Sequence, residues 1–421
     1  MASTERIPVI IDTDPGVDDT IAILLALASP ELEILAFIVS FGNTDIESSY
    51  RNILKTYKAL DRHFEQYPSH KDRFPNFLSL RKPILAKGSC GPLEGELHSA
   101  QYFHGRDGLS GITDRHPDLD TEKPEPRGTH PQLELTDRSG VDVALDLLRQ
   151  RPSRSITYIA LGPLTNLAHM MRQDSNLVRE NIGRVVSMGG ALDVPGNTSP
   201  AAEFNFFADP FAVKDLLLPK DPNLGLPLDR VLLLPLDITT FHELPFSVYK
   251  NKIDSSLDLS SRPSVASGKE PLTHFTSAFL ERAREMMLKY GKDAMELHDP
   301  AAVWCAIENP PSSDTLGRGW RARPRVFDIE RTGELTRGML VVDRRADSSA
   351  YSPGANRAEI QAELEKRAFQ HGEWESTAIP AQVEVEQATE EGPAKPGVLC
   401  VHETPGPEAL LNLLLQRIWG V

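Results

Sequence analysis

The chain lacks several features that would place it in a large protein class. Cysteine occurs only three times in 421 residues, at Cys90, Cys305 and Cys400, and never in CxxC spacing. Neither a zinc site nor a disulfide framework is suggested, and a reducing cytoplasm is the expected setting. No apolar run approaches the ~20 residues that cross a bilayer. The longest, such as Ile21 to Ala28, suit a core helix. The opening Met1-Ala2-Ser3-Thr4-Glu5-Arg6 has no basic start with a long apolar core behind it, so no secretory signal is expected. Basic clusters are missing too. With a net charge of −15 and no Lys/Arg run to follow a phosphate backbone, nucleic acid and anionic membranes are excluded as partners. There is no internal repeat.

What is present is an ordinary globular balance, 40% hydrophobic and 25% charged, over a length that suits one large domain or two smaller ones. Ile7 to Ile11 reads as a buried strand and Ile21 to Ala28 as a helix, with Leu32 to Ser40 as the second strand of a βαβ unit. Further strands are expected at Ser155 to Leu161, Arg184 to Met188 and Val231 to Leu236. A helix follows Gly162-Pro163-Leu164-Thr165-Asn166. Strands alternating with helices specify an α/β fold, a mostly parallel central sheet flanked by helices. Three stretches read as peripheral: a long loop at 105–140, the proline-rich 216–230, and a low-complexity insertion at 344–397 dominated by Glu, Ala, Gln and Pro. The helix Leu410 to Trp419 should dock on the body. A single domain over 6–421 with surface insertions is expected.

The chemistry concentrates after the first strand. Asp12-Thr13-Asp14-Pro15-Gly16-Val17-Asp18-Asp19 puts four carboxylates at the carboxyl end of a parallel strand, where open α/β sheets bind ligands. Pleating places Asp12 and Asp14 on one side of that strand. Asp18 and Asp19 fall in the first helical turn, where a cap or the helix dipole accounts for one of them, or both. Four converging carboxylates repel one another, which raises their pKa values or recruits a cation. An all-oxygen ligand set favours calcium or magnesium. Asn43, Asn166, Gly196-Asn197-Thr198, Ala202-Glu203-Phe204-Asn205 and His298-Asp299-Pro300 lie at comparable places. Each alone is explained as a turn or cap residue. Together they make a polar bowl.

These motifs resemble the inosine–uridine preferring nucleoside hydrolase family. The Asp12–Asp19 stretch is its signature. It is joined in order by Phe41-Gly42-Asn43, His104-Gly105-Arg106-Asp107-Gly108-Leu109, Leu161 to Asn166, Met188-Gly189-Gly190, Glu203-Phe204-Asn205 and His298-Asp299-Pro300, over roughly residues 6 to 345. Gly333 to Gly338 resembles the late strand region of that Rossmann-like fold. The resemblance implies hydrolysis of the N-glycosidic bond of purine or pyrimidine ribonucleosides, in salvage or catabolism, by a homodimer or homotetramer. It implies calcium held by Asp14, Asp19, Asp299 and the backbone carbonyl of Leu161, with Asp14 also the base toward the water that calcium holds. Asp18, Asn43, Glu203 and Asn205 match the groups on the ribose hydroxyls, and His104, Met188 and Asn197 match further pocket positions. His298 matches the histidine near the leaving base, a candidate general acid. The enlarged loop after Leu109 lies where the family covers the base.

Two other readings fit parts of the pattern. A haloacid-dehalogenase-type phosphatase would use Asp12 as nucleophile, Asp14 as acid/base and magnesium, but would leave His298-Asp299 without a role. A nucleoside- or ribose-binding protein would keep the pocket without turnover.

Overall fold

The computed structural model describes residues 6–121, 130–343 and 397–421. Most of the insertion expected at 344–397 therefore lies outside the described residues. Seven parallel strands form the heart of the sheet: β1 (Ile7–Thr13), β2 (Leu32–Val39), β3 (Ile84–Lys87), β4 (Glu134–Leu135), β5 (Ile156–Ala160), β6 (Ile182–Met188) and β7 (Val231–Leu234). The strand Val398–Glu403 adds in parallel beside β7, and Arg321–Arg325 closes that edge antiparallel. The nine-stranded order runs Arg321–Arg325, Val398–Glu403, β7, β6, β5, β1, β2, β3, β4.

Strand β1 sits at the switch point. The chain builds outward from it through β2 to β4, then returns to its other side with β5. Loops at the carboxyl ends of β1 and β5 consequently diverge and leave a crevice above Asp12 to Asp14. Alternate residues of β1 feed the two faces: Val9 and Ile11 join one apolar cluster and Ile10 the other. On the first face lies helix α1 (Val17–Leu27), which is buried along its whole length. It packs against the helix His298–Glu308. The two amino termini come together, so positive dipole ends face the carboxylates of Asp18, Asp19 and Asp299.

Two expectations about periphery change. The stretch after His104 is not a loop with little core: Leu109, Ile112, Leu119 and Leu133 are buried in the larger cluster, and Glu134–Leu135 becomes the β4 edge. Its compactness comes from the Asp107 carboxylate, which accepts from the backbone N–H groups of Leu109, Gly111 and Thr113 at 2.7–3.0 Å. Gly333 to Gly338 is a turn rather than a strand, joining the short strands Asp328–Ile329 and Leu340–Val341. Arg337 holds it by donating to the carbonyls of Phe207 and Ala208. The last helix runs Pro407–Leu414 and ends in a wider turn through Trp419, which buries Leu410, Leu414, Ile418 and Trp419.

Candidate active site

The strand part of β1 ends at Thr13, so pleat alternation no longer relates Asp12 to Asp14. Asp12 points into the sheet, where its two oxygens accept from Tyr158 Oη and Asn166 Nδ2, each at 2.8 Å. Burial pushes its pKa up to about 7 despite those two donors. It is a scaffold group under the crevice. The phosphatase reading needs Asp12 as a free nucleophile, and neither oxygen is free.

Asp14 turns the other way. Its Oδ2 accepts from the Asn43 backbone N–H at 2.7 Å, while Oδ1 is buried with no hydrogen-bond partner. A Cβ at Gly42 or at Gly162 would overlap the Asp14 carboxylate. These two glycines let the loops after β2 and β5 close directly onto it. Asp19 accepts from Thr13 Oγ1 at 2.6 Å, Asn43 Nδ2 at 2.8 Å and Gly16 N at 3.0 Å. Oxygens of Asp18, Asp19 and Asp299 lie within 4.8 Å of one another. Burial first, then the neighbouring carboxylates, pushes Asp14 and Asp299 well above the usual carboxylate range, and the same causes lift Asp18 to about 7. A buried orphan oxygen beside three crowded carboxylates, with two helix amino termini aimed at them, suits a hard divalent cation.

All the expected site residues except Asp14 and Asp19 line one cavity of about 450 Å³, and those two are both bonded to Asn43 in its lining. The structure also gives several of them local duties that the sequence did not disclose. Glu203 caps the short helix Phe204–Ala208, accepting from Asn205 N and Phe206 N, and also accepts from Gly190 N at 2.8 Å. Burial still raises its carboxyl above the ordinary range. Asn205 Nδ2 donates to the Leu161 carbonyl at 2.7 Å and to the Met188 carbonyl at 3.3 Å, joining the ends of β5 and β6. Asn197 Oδ1 accepts from Phe204 N. His104 Nδ1 accepts from Val17 N at 3.1 Å, and burial draws its pKa down to about 3, so the ring is neutral with its proton on Nε2.

His298 has both ring nitrogens engaged, Nδ1 with Thr239 Oγ1 at 2.8 Å and Nε2 with Glu296 Oε2 at 3.1 Å. Burial works against its charge, but the Glu296 contact, aided by Asp18 and Glu203, raises its pKa. Glu296 in turn falls to about 2, because His298 and Lys292 outweigh the effect of burial. Glu296 was not singled out in the sequence. It pairs directly with Glu243 across a short antiparallel ladder, and Lys292 bridges the two carboxylates at 2.5 and 2.6 Å. A glutamate two residues before the histidine, on a strand, was the available signal. The apolar wall of the cavity, Phe103, Met287, Tyr290 and Met295 beside Tyr102, was also missed. It is assembled from two segments distant in sequence.

The family model described as inosine–uridine preferring nucleoside hydrolase matches residues 9–383. A pyrimidine-specific ribonucleoside hydrolase of Klebsiella pneumoniae is 32% identical over 347 residues, covering 80% of this chain and 88% of that protein. An uncharacterised protein of Schizosaccharomyces pombe is 31% identical over 342 residues with the same coverage. Among solved structures, a plant nucleoside hydrolase matches with a TM-score of 0.62 at 22% identity, covering 98% of both chains. A purine-preferring ribonucleoside hydrolase of Gardnerella vaginalis matches with a TM-score of 0.62 at 21% identity, also covering 98% of both.

Proposed function

This chain belongs to the inosine–uridine preferring nucleoside hydrolase family, N-glycosyl hydrolases, and from that premise we propose that it splits ribonucleosides into free base and ribose in a calcium-dependent reaction. The observation that carries the reading is the buried, unpartnered Asp14 Oδ1, on a carboxylate held by the cavity-lining Asn43. Calcium, held by Asp14, Asp19, Asp299 and the Leu161 carbonyl, would supply the grip on vicinal hydroxyls and the acidity of the attacking water.

The chain's own residues do the rest. Asp14, fixed through Oδ2 by Asn43, keeps Oδ1 as the base that takes the water's proton. Asp18, Asn43, Glu203 and Asn205 face the sugar and stabilise the positive charge that grows on ribose as the bond to the base lengthens. The apolar wall beside Phe103 and Met295 excludes water from the base. His298 gives a proton to the departing base by exchanging its contact with Glu296 for one with the leaving nitrogen. His104, neutral, anchors the first turn of α1 and presents Nε2–H to the pocket.

A single domain over 6–421 and a homodimer or homotetramer acting in the cytoplasm, in nucleoside salvage or catabolism, complete the reading. Family likeness supports them. Either a purine or a pyrimidine base is compatible with the cavity. Pyrimidines come first because the bacterial relative is named for them. The test is release of reducing sugar from uridine, cytidine, inosine and their 2′-deoxy forms in calcium. Ribosides should lead by at least tenfold in kcat/KM, because each polar group left unpaired at the missing hydroxyl costs about 1–3 kcal/mol. Equal rates on uridine and deoxyuridine would overturn this sugar site.

A further inference from the structure

Away from the cavity, a second group of side chains has the composition of a metal site. One ring nitrogen each of His116 and His274 and a carboxylate oxygen of Asp118 lie within 4.8 Å of one another. Both histidines are 3% exposed, and Asp118 stands at the surface as an open side to the cluster. We propose that His116, Asp118 and His274 bind a divalent cation of the zinc class, which fastens the segment following His104 to the helix Pro271–Lys289.

The surroundings of the two rings support this. Histidines that ligate a metal hold their second nitrogen on a carboxylate, carbonyl or hydroxyl, which sets the tautomer. His274 Nδ1 lies 3.0 Å from Ser264 Oγ, leaving Nε2 toward Asp118 Oδ2 at 3.1 Å. Tetrahedral zinc with ligands at about 2.0–2.2 Å needs ligand atoms roughly 3.3 Å apart. The His274–Asp118 pair therefore already has the spacing. His116 Nε2 lies 2.8 Å from Glu281 Oε1. Glu281 is 1% exposed and also accepts from Ser264 N. It is the carboxylate that orients His116 or completes the ligand set. Two cations stand nearby: Arg115, 3.3 Å from His116 Nε2, is paired with Glu281, and Lys269 is held by Asp254 and Ser264.

In the other histidine cluster, His63, His70 and Glu270, the Arg73 guanidinium stands against both rings, 3.1 Å from His70 Nδ1 and 3.4 Å from His63 Nε2, whereas Arg115 reaches only the His116 ring of the proposed site.

The experiment titrates Zn²⁺ into the chelator-stripped whole chain, by calorimetry, with calcium in excess. Stoichiometric uptake at micromolar protein is expected. It should persist in Asp299→Ala, which disables the catalytic cluster, and weaken at least ~10-fold in Asp118→Ala and His274→Gln. Should His274→Gln fail to fold, Asp118→Ala decides alone, since it alters a surface side chain. No stoichiometric uptake overturns the proposal, as does uptake untouched by Asp118→Ala or removed by Asp299→Ala. The readout is independent of nucleoside turnover, so it stands or falls apart from the catalytic reading.

Discussion

At the scale of single residues, four acidic side chains in eight positions serve different ends. Asp12 is consumed by Tyr158 and Asn166, Asp19 by three donors, and Asp14 retains an unclaimed oxygen. The sequence shows their density but not this division, which for Asp12 depends on partners more than 140 positions away. Asp14→Asn should keep its oxygen toward Asn43 N and leave the fold intact, while turnover falls by ~10²-fold or more. Steady-state rates within a few-fold of wild type would end its assignment as base. His298→Ala should cost an inosine-like substrate at least tenfold more than it costs p-nitrophenyl riboside, whose leaving group needs no proton. Equal losses would give His298 a shaping role and move the proton to another donor, for which His104, held neutral by burial, is poorly suited. Glu203 shows where motif reading stops. Its match points to a sugar contact, and it does line the cavity, but no motif discloses that the same carboxylate accepts from three backbone N–H groups.

At the scale of elements, the legible ones are those buried on both sides. Strands β1, β2, β5, β6 and β7 are mostly apolar, buried runs, and α1 is apolar all round beyond its first turn. The missed ones carry weaker signals. Arg321–Arg325 is an edge strand of Arg-Ala-Arg-Pro-Arg, tolerated there because an edge needs no second ladder. Glu134–Leu135 is too short to show a period. The helix Ile46–Gln66 buries His63 near its end, against His70 and Arg73. Burial, then the neighbouring His70 and Arg73, lowers its pKa from 6.5 to about 4. A base depressed in the folded state stabilises above its unfolded pKa, and that contribution is lost as pH falls from about 6.5 to 4. The loss is worth up to about 3 kcal/mol. Urea unfolding with calcium present should show wild type losing more stability over that window than His63→Gln. Parallel pH profiles would refute the assignment.

At the scale of the whole molecule, the site is a junction. Asp14 follows β1, Leu161 follows β5, Glu203 and Asn205 follow β6, and Asp299 arrives on a helix packed against α1. Bringing three buried carboxylates together costs folding energy that a cation recovers. A ligand at a hundred times its dissociation constant stabilises by about 2.7 kcal/mol. Chelation with EGTA should therefore abolish hydrolysis and lower the melting temperature by on the order of 5 °C, and calcium should restore both. An unchanged rate and melting curve after chelation would refute the metal assignment. The parallel α/β sheet was legible because strand and helix signals alternate. The order of its far edge was not, because it depends on which distant strand lies beside β7.

That edge bears on synthesis. Strand Val398–Glu403 lies between β7 and Arg321–Arg325, although it comes after both in the chain. While a ribosome is still making the segment between them, β7 has finished its ladder on one side only. Its other side offers unpaired N–H and C=O groups to any neighbouring strand. The nascent protein therefore spends the time needed to add more than 160 residues, at roughly 5–20 per second, with an open seam beside its catalytic sheet. Closure of the fold has to wait for translation of the last strand, and holding chaperones have most to protect in that interval.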